Sequence, residues 1–188
     1  DGGAGDPTLR LLREVGLARL EREAARGGVS LTVPVQEVVR EGGAYALRYE
    51  ATLPVEDWNA QISLLTGRAE ASMMLAGGIG ILRTMPAPSA ADIARVRSVA
   101  KSLAVDWPDG ATYPQVIAMM DPTVPAQAAF LNACVILLRG AGYTAFAGES
   151  PALSTHSAVA APYAHVTAPL RRLVDRWHNK LPAGTEKT

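Results

Sequence analysis

Residues 163–175, Tyr-Ala-His-Val-Thr-Ala-Pro-Leu-Arg-Arg-Leu-Val-Asp, form the stretch on which the interpretation of this chain depends. The run Thr167-Ala168-Pro169 predicts a helix start, because proline is favoured at the first helical position. Arg171 and Arg172 would then lie in the first turn, where the helix dipole disfavours a cation. An anion bound there would make this placement favourable, and the planar guanidinium group suits phosphate.

The residues just before this predicted helix are of types that contact nucleic acids. Tyr163 offers a face on which a base can stack, and His165 offers a hydrogen-bonding group. A structural explanation competes with this one: Arg171 pairs with Asp175, four residues on, while Arg172 is solvated. The spacing alone leaves both explanations open.

Composition limits what kind of protein this is. The 188 residues include 18 Lys and Arg against 18 Asp and Glu, so the formal net charge is zero and any contact with a polyanion must be local. The 48% of hydrophobic residues predicts a folded core. The single cysteine, Cys134, excludes an internal disulfide and a cysteine-built zinc site, and we expect no disulfide partner. We see neither a leader pattern nor an apolar run long enough for a bilayer, which predicts a cytoplasmic protein without a membrane segment.

The hydrophobic pattern predicts an α+β fold with more helix than strand, in which β-hairpin and sheet elements pack against several helices. An amphipathic helix follows Asp6-Pro7 and ends at Gly27-Gly28. Alternating residues from about Val29 to Leu53 predict a β-hairpin, with Pro34 favouring an edge position. The later elements predicted are helices from Pro54 to about Met85, Ser89 to Leu103, Pro114 to Met120, Ala126 to Leu138 and from about Pro169, and a short strand at Tyr143–Phe146.

The predicted domain organisation is simple. Residues 1–5 are rich in glycine and predict a flexible lead-in. Residues 6–180 form one domain, and residues 181–188 form a tail.

Self-contained catalytic sites are missing from the sequence. The eight aspartates are scattered along the chain, and none of their groupings would hold a metal ion by itself. There is no Gly-x-Ser-x-Gly nucleophile motif and no phosphate-binding P-loop. We therefore predict no metal ligands within this chain.

A resemblance to a known family gives these residues a context. Residues 163–175 resemble the signature of the RNB catalytic domain of the ribonuclease II/ribonuclease R exoribonucleases, Tyr-x-His-Phe-Thr-Ser-Pro-Ile-Arg-Arg-Tyr-x-Asp. Residues 70–77, Glu-Ala-Ser-Met-Met-Leu-Ala-Gly, resemble a family helix that runs Glu-Glu-x-Met-x-x-Ala-Asn. Residues 26–31 fit the stretch that precedes that helix. The resemblance extends over nearly the whole chain as far as Asp175.

The resemblance implies an activity and a set of site residues. Enzymes of this family hydrolyse single-stranded RNA processively from the 3′ end with Mg²⁺ and release nucleoside 5′-monophosphates. By this resemblance Arg171 is the catalytic arginine, which stabilises charge on the scissile phosphate. Glu70 lines the pocket of the 3′-terminal nucleotide. The remaining RNA-contacting residues implied are Tyr163, His165, Thr167 and Arg172.

The chain departs from the family pattern in one important respect. The family's metal-binding aspartates lie in an upstream motif that this sequence lacks, so the resemblance covers only the C-terminal half of the catalytic domain. We expect the Mg²⁺ ligands to lie outside this chain and the isolated chain to be inactive. Smaller departures are Ala71, Gly77, Ala168 and Leu173, where the family has Glu, Asn, Ser and Tyr.

Two other functions remain open. The chain could be a non-catalytic RNA-binding relic that keeps the phosphate-contacting helix end. Alternatively it could be a helical interaction module that docks another polypeptide, most simply the N-terminal half of the catalytic domain.

Overall fold

The computed structural model describes residues 6–33, 35–50 and 52–178. The predicted lead-in and tail lie outside these described residues. Six helices, a 3₁₀ turn and two antiparallel strand pairs make up the described part, which confirms the predicted α+β class. The elements in chain order are α1 Pro7–Ala25, β1 Val35–Glu41, β2 Ala44–Glu50, α2 Pro54–Gly77, β3 Ile79–Thr84, α3 Ala90–Ser102, α4 Tyr113–Ala118, α5 Pro125–Cys134, the 3₁₀ turn Val135–Leu138, β4 Gly142–Ala147 and α6 Leu173–His178.

The predicted hairpin is present but shorter than expected. Strands β1 and β2 pair in register from Val35↔Glu50 to Glu41↔Ala44, around a turn at Gly42-Gly43. Residues 29–33 are not in a strand, and the backbone N–H of Val29 donates to Ala158 O at 2.7 Å. Pro34 lies outside the described residues.

Helix α2 ends eight residues earlier than the sequence predicts. The helix stops at Gly77, and Gly78 adopts a left-handed conformation with φ of 68°. The chain then forms β3, which pairs antiparallel with β4 from Ile79↔Ala147 to Thr84↔Gly142. The predicted helix to Met85 is therefore wrong, because the β4 partner that makes this segment a strand lies about 60 residues further along the chain.

Two buried clusters stabilise the described part. The larger one joins α3, α4 and α5 and includes Val96, Phe130 and Cys134. Burial raises the pKa of the Cys134 thiol to about 12, so this cysteine is an inert core residue. The smaller cluster consists of Ala71 and Met74 of α2, Leu82 of β3 and Ala164. It joins α2 and β3 to the segment that carries the candidate site.

Helices α1 and α2 cross in close contact. A Cβ atom on Gly16 would lie 2.5 Å from Cβ of Trp58, so only glycine allows this approach. Near the other end of α1, the carboxylate of Glu23 is buried and accepts hydrogen bonds from Ser30 Oγ at 2.8 Å and from Gln61 Nε2. Within the described ranges, none of the helices is both long enough and apolar enough to cross a membrane.

Candidate nucleic-acid interface

The extended segment 161–166 is held between α2 and β3 by backbone hydrogen bonds. The N–H of Arg83 in β3 donates to Tyr163 O at 2.8 Å, and the N–H of Ala164 donates to Gly67 O of α2 at 3.0 Å. Ala164 itself is fully buried. Because both neighbours are regular elements, the side chains of this segment have fixed positions.

Gly67 makes this arrangement possible. A Cβ atom at this position would overlap the ring of Tyr163 and would lie 2.5 Å from Ala164 O. The Ala164 N–H can therefore reach the carbonyl of residue 67 only because this residue is glycine and has no side chain. The tyrosine ring lies against the helix backbone.

Four rings form a continuous row along the segment, which we call the aromatic row. The row consists of His156, Tyr163, His165 and Tyr143. Successive ring centroids are 5.8, 5.6 and 5.7 Å apart, with edge-to-face geometry throughout. The hydroxyl of Tyr143 lies 2.8 Å from Nδ1 of His165, and the guanidinium of Arg83 lies 4.8 Å from the centre of the Tyr143 ring. Tyr143 is half-exposed at the end of the row, so its ring presents a surface to solvent.

The protonation state of the row follows from burial and from nearby arginines. Burial, together with the charges of Arg172 and Arg83, lowers the pKa of His165 to about 4. His165 is therefore neutral at pH 7, and its Nδ1 can accept a hydrogen bond from the Tyr143 hydroxyl. Burial and Arg83 also lower the pKa of His156. Burial raises the pKa of Tyr163.

Arg172 and Asp175 form an ion pair beside the row. The Nε of Arg172 donates to Asp175 Oδ1 at 2.9 Å, and its second donor contacts Oδ2 at 3.0 Å. Asp175 is fully buried and also accepts the backbone N–H of Ala168 at 2.6 Å. Burial would raise the pKa of Asp175, but these hydrogen bonds outweigh it, and the pKa lies below its ordinary value.

Arg171 has the opposite environment. Its side chain is exposed and has no hydrogen-bond or ion-pair partner within residues 6–33, 35–50 and 52–178. The structural explanation offered by the spacing is therefore wrong in its assignment, since Arg172, and not Arg171, pairs with Asp175. Of the two adjacent arginines, Arg171 is therefore the one available to bind a ligand.

The helix start predicted at Pro169 is also wrong. Residues 168–171 form a turn in which the N–H groups of Arg171 and Arg172 donate to Ala168 O, and α6 begins only at Leu173. The carboxylate of Asp175 occupies the N–H of Ala168, which the expected anion would have used. Any anion held here is therefore held by side chains rather than by a helix end.

The two other predicted site residues lie at the edge of this surface. Glu70 is half-buried on α2, one turn beyond Gly67 and hence on the same helix face as the Tyr163 contact. Thr167 is exposed at the end of the extended segment. Within the described part of the chain, neither side chain forms a hydrogen bond or an ion pair with Arg171.

The arrangement does not fit a Mg²⁺ site. The described residues contain no group of three or more His, Cys, Asp or Glu side chains that could hold a metal ion. The nearest carboxylate to the arginines, Asp175, is already bound by Arg172 and by the backbone of Ala168. The chemistry available here is phosphate contact by Arg171 and base stacking on the row.

Sequence reasoning missed part of this surface. Tyr143 is predicted only as a strand residue, and the sequence assigns no role to His156 or Arg83. Arg83 and Tyr143 face each other in the β3–β4 register, so recognising that strand pair would have found both. Without β3 the sequence carries no signal that brings them together.

Comparison with solved structures shows which proteins have a similar fold. They include structures of RNase R from Mycoplasma genitalium. The complex with ribose-methylated single-stranded RNA matches with a TM-score of 0.71 and 18% identity, over 92% of this chain and 28% of that chain. The complex with double-stranded RNA matches with a TM-score of 0.70 and 18% identity, over 92% of this chain and 31% of that chain.

These matches define the extent of the likeness. The chain spans less than a third of the RNase R chains it matches. Neither a protein-family model nor a curated protein matches the sequence. The likeness is therefore one of fold, and it agrees with the RNB resemblance of residues 163–175.

Proposed function

We propose that the surface formed by the aromatic row and Arg171 binds single-stranded RNA as part of an RNB-type 3′→5′ exoribonuclease. The observation that carries the proposal is an exposed tyrosine ring, backed by Arg83 and in contact with His165, together with Arg171, which follows His165 by six residues and has no partner among the described residues. Single-stranded nucleic acids are bound by this combination of stacking faces and positive charge. The fold shared with RNase R supports the same function.

The roles of the residues follow from their environments. Arg171 contacts a backbone phosphate, because its guanidinium is exposed and always charged. Arg172 holds the turn through Asp175 and adds positive potential near His165. Tyr143 stacks on a base, His165 holds the Tyr143 ring through an edge-to-face contact, and Tyr163 holds His165 in the same way. Glu70 and Thr167 complete the RNA-contacting set that the resemblance implies.

The hydrolytic step requires groups that the described residues do not supply. The proposed activity depends on Mg²⁺, whose ligands we expect in polypeptide outside this chain. Incubated alone with single-stranded RNA and Mg²⁺, the 188-residue chain should release no measurable nucleoside 5′-monophosphate. Robust release that survives Arg171→Ala would contradict both the role of Arg171 and the need for outside ligands.

RNA binding by the chain itself is the direct test. We expect fluorescence anisotropy with a labelled single-stranded RNA to show binding that weakens as salt rises. Arg171→Gln should reduce the slope of log Kd against log salt by about 0.7, the value of one phosphate contact on a single strand. Arg95→Gln is the matched control, since Arg95 is an exposed arginine on α3, which packs against α5. Equal effects of the two substitutions, or binding that is independent of salt, would reject the proposal.

A second function has its own supporting observation. Leu170 and Leu173, which flank the arginine pair, are 102% and 68% exposed, and Trp177 on α6 is 56% exposed. Large apolar side chains exposed together favour a protein contact, and the complementary part of an RNB-type domain is the partner proposed. Light scattering should then show self-association of the isolated chain that Leu173→Ser reduces. A stable monomer with cooperative melting would count against this function.

A further inference from the structure

A second group of arginines lies between α1 and α2. Arg19 is on α1, Arg26 follows the last residue of α1, and Arg68 is on α2. All three side chains are half-buried. Arg19 and Arg26 lie seven residues apart, two helical turns, and therefore on the same face of α1.

Several N–H donors in this group are buried without an acceptor in the described structure. They belong to four nitrogen atoms: Nε and one terminal nitrogen of Arg19, one terminal nitrogen of Arg26, and Nε of Arg68. Buried donors without partners are rare in folded proteins, because each costs free energy comparable to a lost hydrogen bond.

Arg26 shows that the group is held in place rather than loosely arranged. Its Nε donates to Val159 O at 2.8 Å and its other terminal nitrogen donates to Arg22 O at 3.0 Å. The guanidinium plane is fixed by these two bonds, and the remaining nitrogen is directed into the buried region. The binding geometry is thus formed before any ligand arrives.

The described residues do not neutralise the group. Glu23 is the nearby carboxylate, whereas Arg22 adds a fourth positive charge beside Arg19, so positive charges exceed negative ones in this group. Burial and the charge of Arg68 lower the pKa values of Arg19 and Arg26, which reflects this crowding. Each oxygen of Glu23 already accepts one hydrogen bond, from Ser30 and from Gln61. In the described structure none of the four arginine nitrogens donates to Glu23 or to the unpaired Oε1 of Gln61.

We propose that Arg19, Arg26 and Arg68 form a binding site for a phosphate dianion. Such a group carries two negative charges, which offset most of the local positive charge, and has several oxygens that can accept from three side chains at once. A carboxylate offers only two oxygens and one charge. A cavity of about 730 Å³ beside the end of α1 is lined in part by Glu23 and Arg26, so a ligand can approach the group from the Arg26 side. The site uses none of the residues assigned to RNA and does not depend on the RNA-binding proposal.

Thermal unfolding of the full chain tests the site. At constant ionic strength, inorganic phosphate in roughly tenfold excess over its dissociation constant should raise Tm by about 3 to 6 °C relative to chloride. Arg68→Gln and Arg19→Gln should each abolish this rise. In chloride, both variants should have the same Tm as the original chain or a higher one, because each substitution removes a repelling charge. A missing phosphate effect can then not be explained by loss of folding. Arg13→Gln, an exposed change on α1, should leave the rise intact.

The source of the phosphate group is distinguished by parallel titrations. A rise with adenosine 5′-monophosphate but not with inorganic phosphate identifies a nucleotide site, and the reverse identifies a site for the free ion. A rise with both supports a site for the phosphate group itself. An equal rise with adenosine, no rise with either phosphate compound, or an equal rise in Arg68→Gln would overturn the proposal.

Discussion

Arg172 holds the buried carboxylate of Asp175 with an Nε–Oδ1 distance of 2.9 Å, while its neighbour Arg171 has no partner among the described residues. The two arginines are adjacent in sequence and identical in chemistry, yet only one is used for structure. The pair keeps the turn before α6 in place, since Asp175 also accepts the N–H of Ala168. This division of roles leaves Arg171 free for a ligand.

The first prediction concerns stability. Arg172→Gln should lower the free energy of unfolding by about 1 to 3 kcal/mol, because it leaves a buried carboxylate without its cation. Arg171→Gln should change that free energy by no more than about 0.5 kcal/mol, as expected of an exposed side chain. Urea unfolding of the two variants compares them directly. Equal destabilisation would show that Arg171 also has a structural partner.

The second prediction concerns acid unfolding through Asp175. Its pKa is lower in the folded chain than in the unfolded chain, so the unfolded state binds the proton more tightly. The stability this group contributes is therefore present above its ordinary pKa and is lost as the pH falls through the folded pKa. Asp175→Asn should remove this contribution, so that the free energy of unfolding changes less with pH in that range. If the variant loses stability in acid as steeply as the original chain does, the role assigned to Asp175 is wrong.

The third prediction concerns His165, whose pKa of about 4 lies below the ordinary 6.5. Between these two values the unfolded chain binds the proton and the folded chain does not, so stability falls as the pH drops from about 6.5 to about 4. Because the ring is partly solvated, we expect a loss of about 1 to 2 kcal/mol, and His165→Asn should reduce it.

His156 titrates in the same direction, so the measurement must separate the two rings. NMR titration of the imidazole Cε1 protons does this. A His165 resonance that titrates at its ordinary pKa would refute the described burial of the ring beside Arg172 and Arg83.

The fourth prediction tests the contact between α2 and the extended segment. Gly67→Ala should lower the unfolding free energy by about 1 to 3 kcal/mol, because the new Cβ overlaps the Tyr163 ring. Gly77→Ala is the matched control on the same helix, since a Cβ there meets nothing within 4 Å. It should raise stability by a few tenths of a kcal/mol, because alanine has the higher helix propensity. If Gly67→Ala is equally harmless, Tyr163 does not pack on the helix backbone.

The fifth prediction addresses base stacking. Tyr143→Ala should weaken binding of single-stranded RNA by about 1 to 3 kcal/mol, the usual contribution of one stacked base. Tyr45→Ala is the control, because Tyr45 is 77% exposed on the β1–β2 hairpin, outside the aromatic row. Anisotropy titrations at one salt concentration give both values. Equal losses would place the RNA elsewhere.

The sequence determined those features that depend on neighbouring residues. The cap at Ser89, whose hydroxyl accepts the N–H of Asp92, begins α3 where the pattern predicts. The hairpin turn at Gly42-Gly43 and the C-terminal glycine of α1 are equally local, with positive φ at Gly27. The RNB signature, a run of thirteen residues, likewise needed no three-dimensional information. The roles it implies for Glu70 and Thr167 stay predictions.

Only the tertiary structure decided which side chains form the candidate surface. Strand β3 exists because β4 pairs with it, and this pairing places Arg83 against Tyr143. The choice between Arg171 and Arg172 as the partner of Asp175 depends on the turn at 168–171, which delays α6 to Leu173. The physical reason is the same in each case: spacing in sequence gives neighbours along one element, whereas the hydrogen bonds that select a partner come from elements far away in the chain.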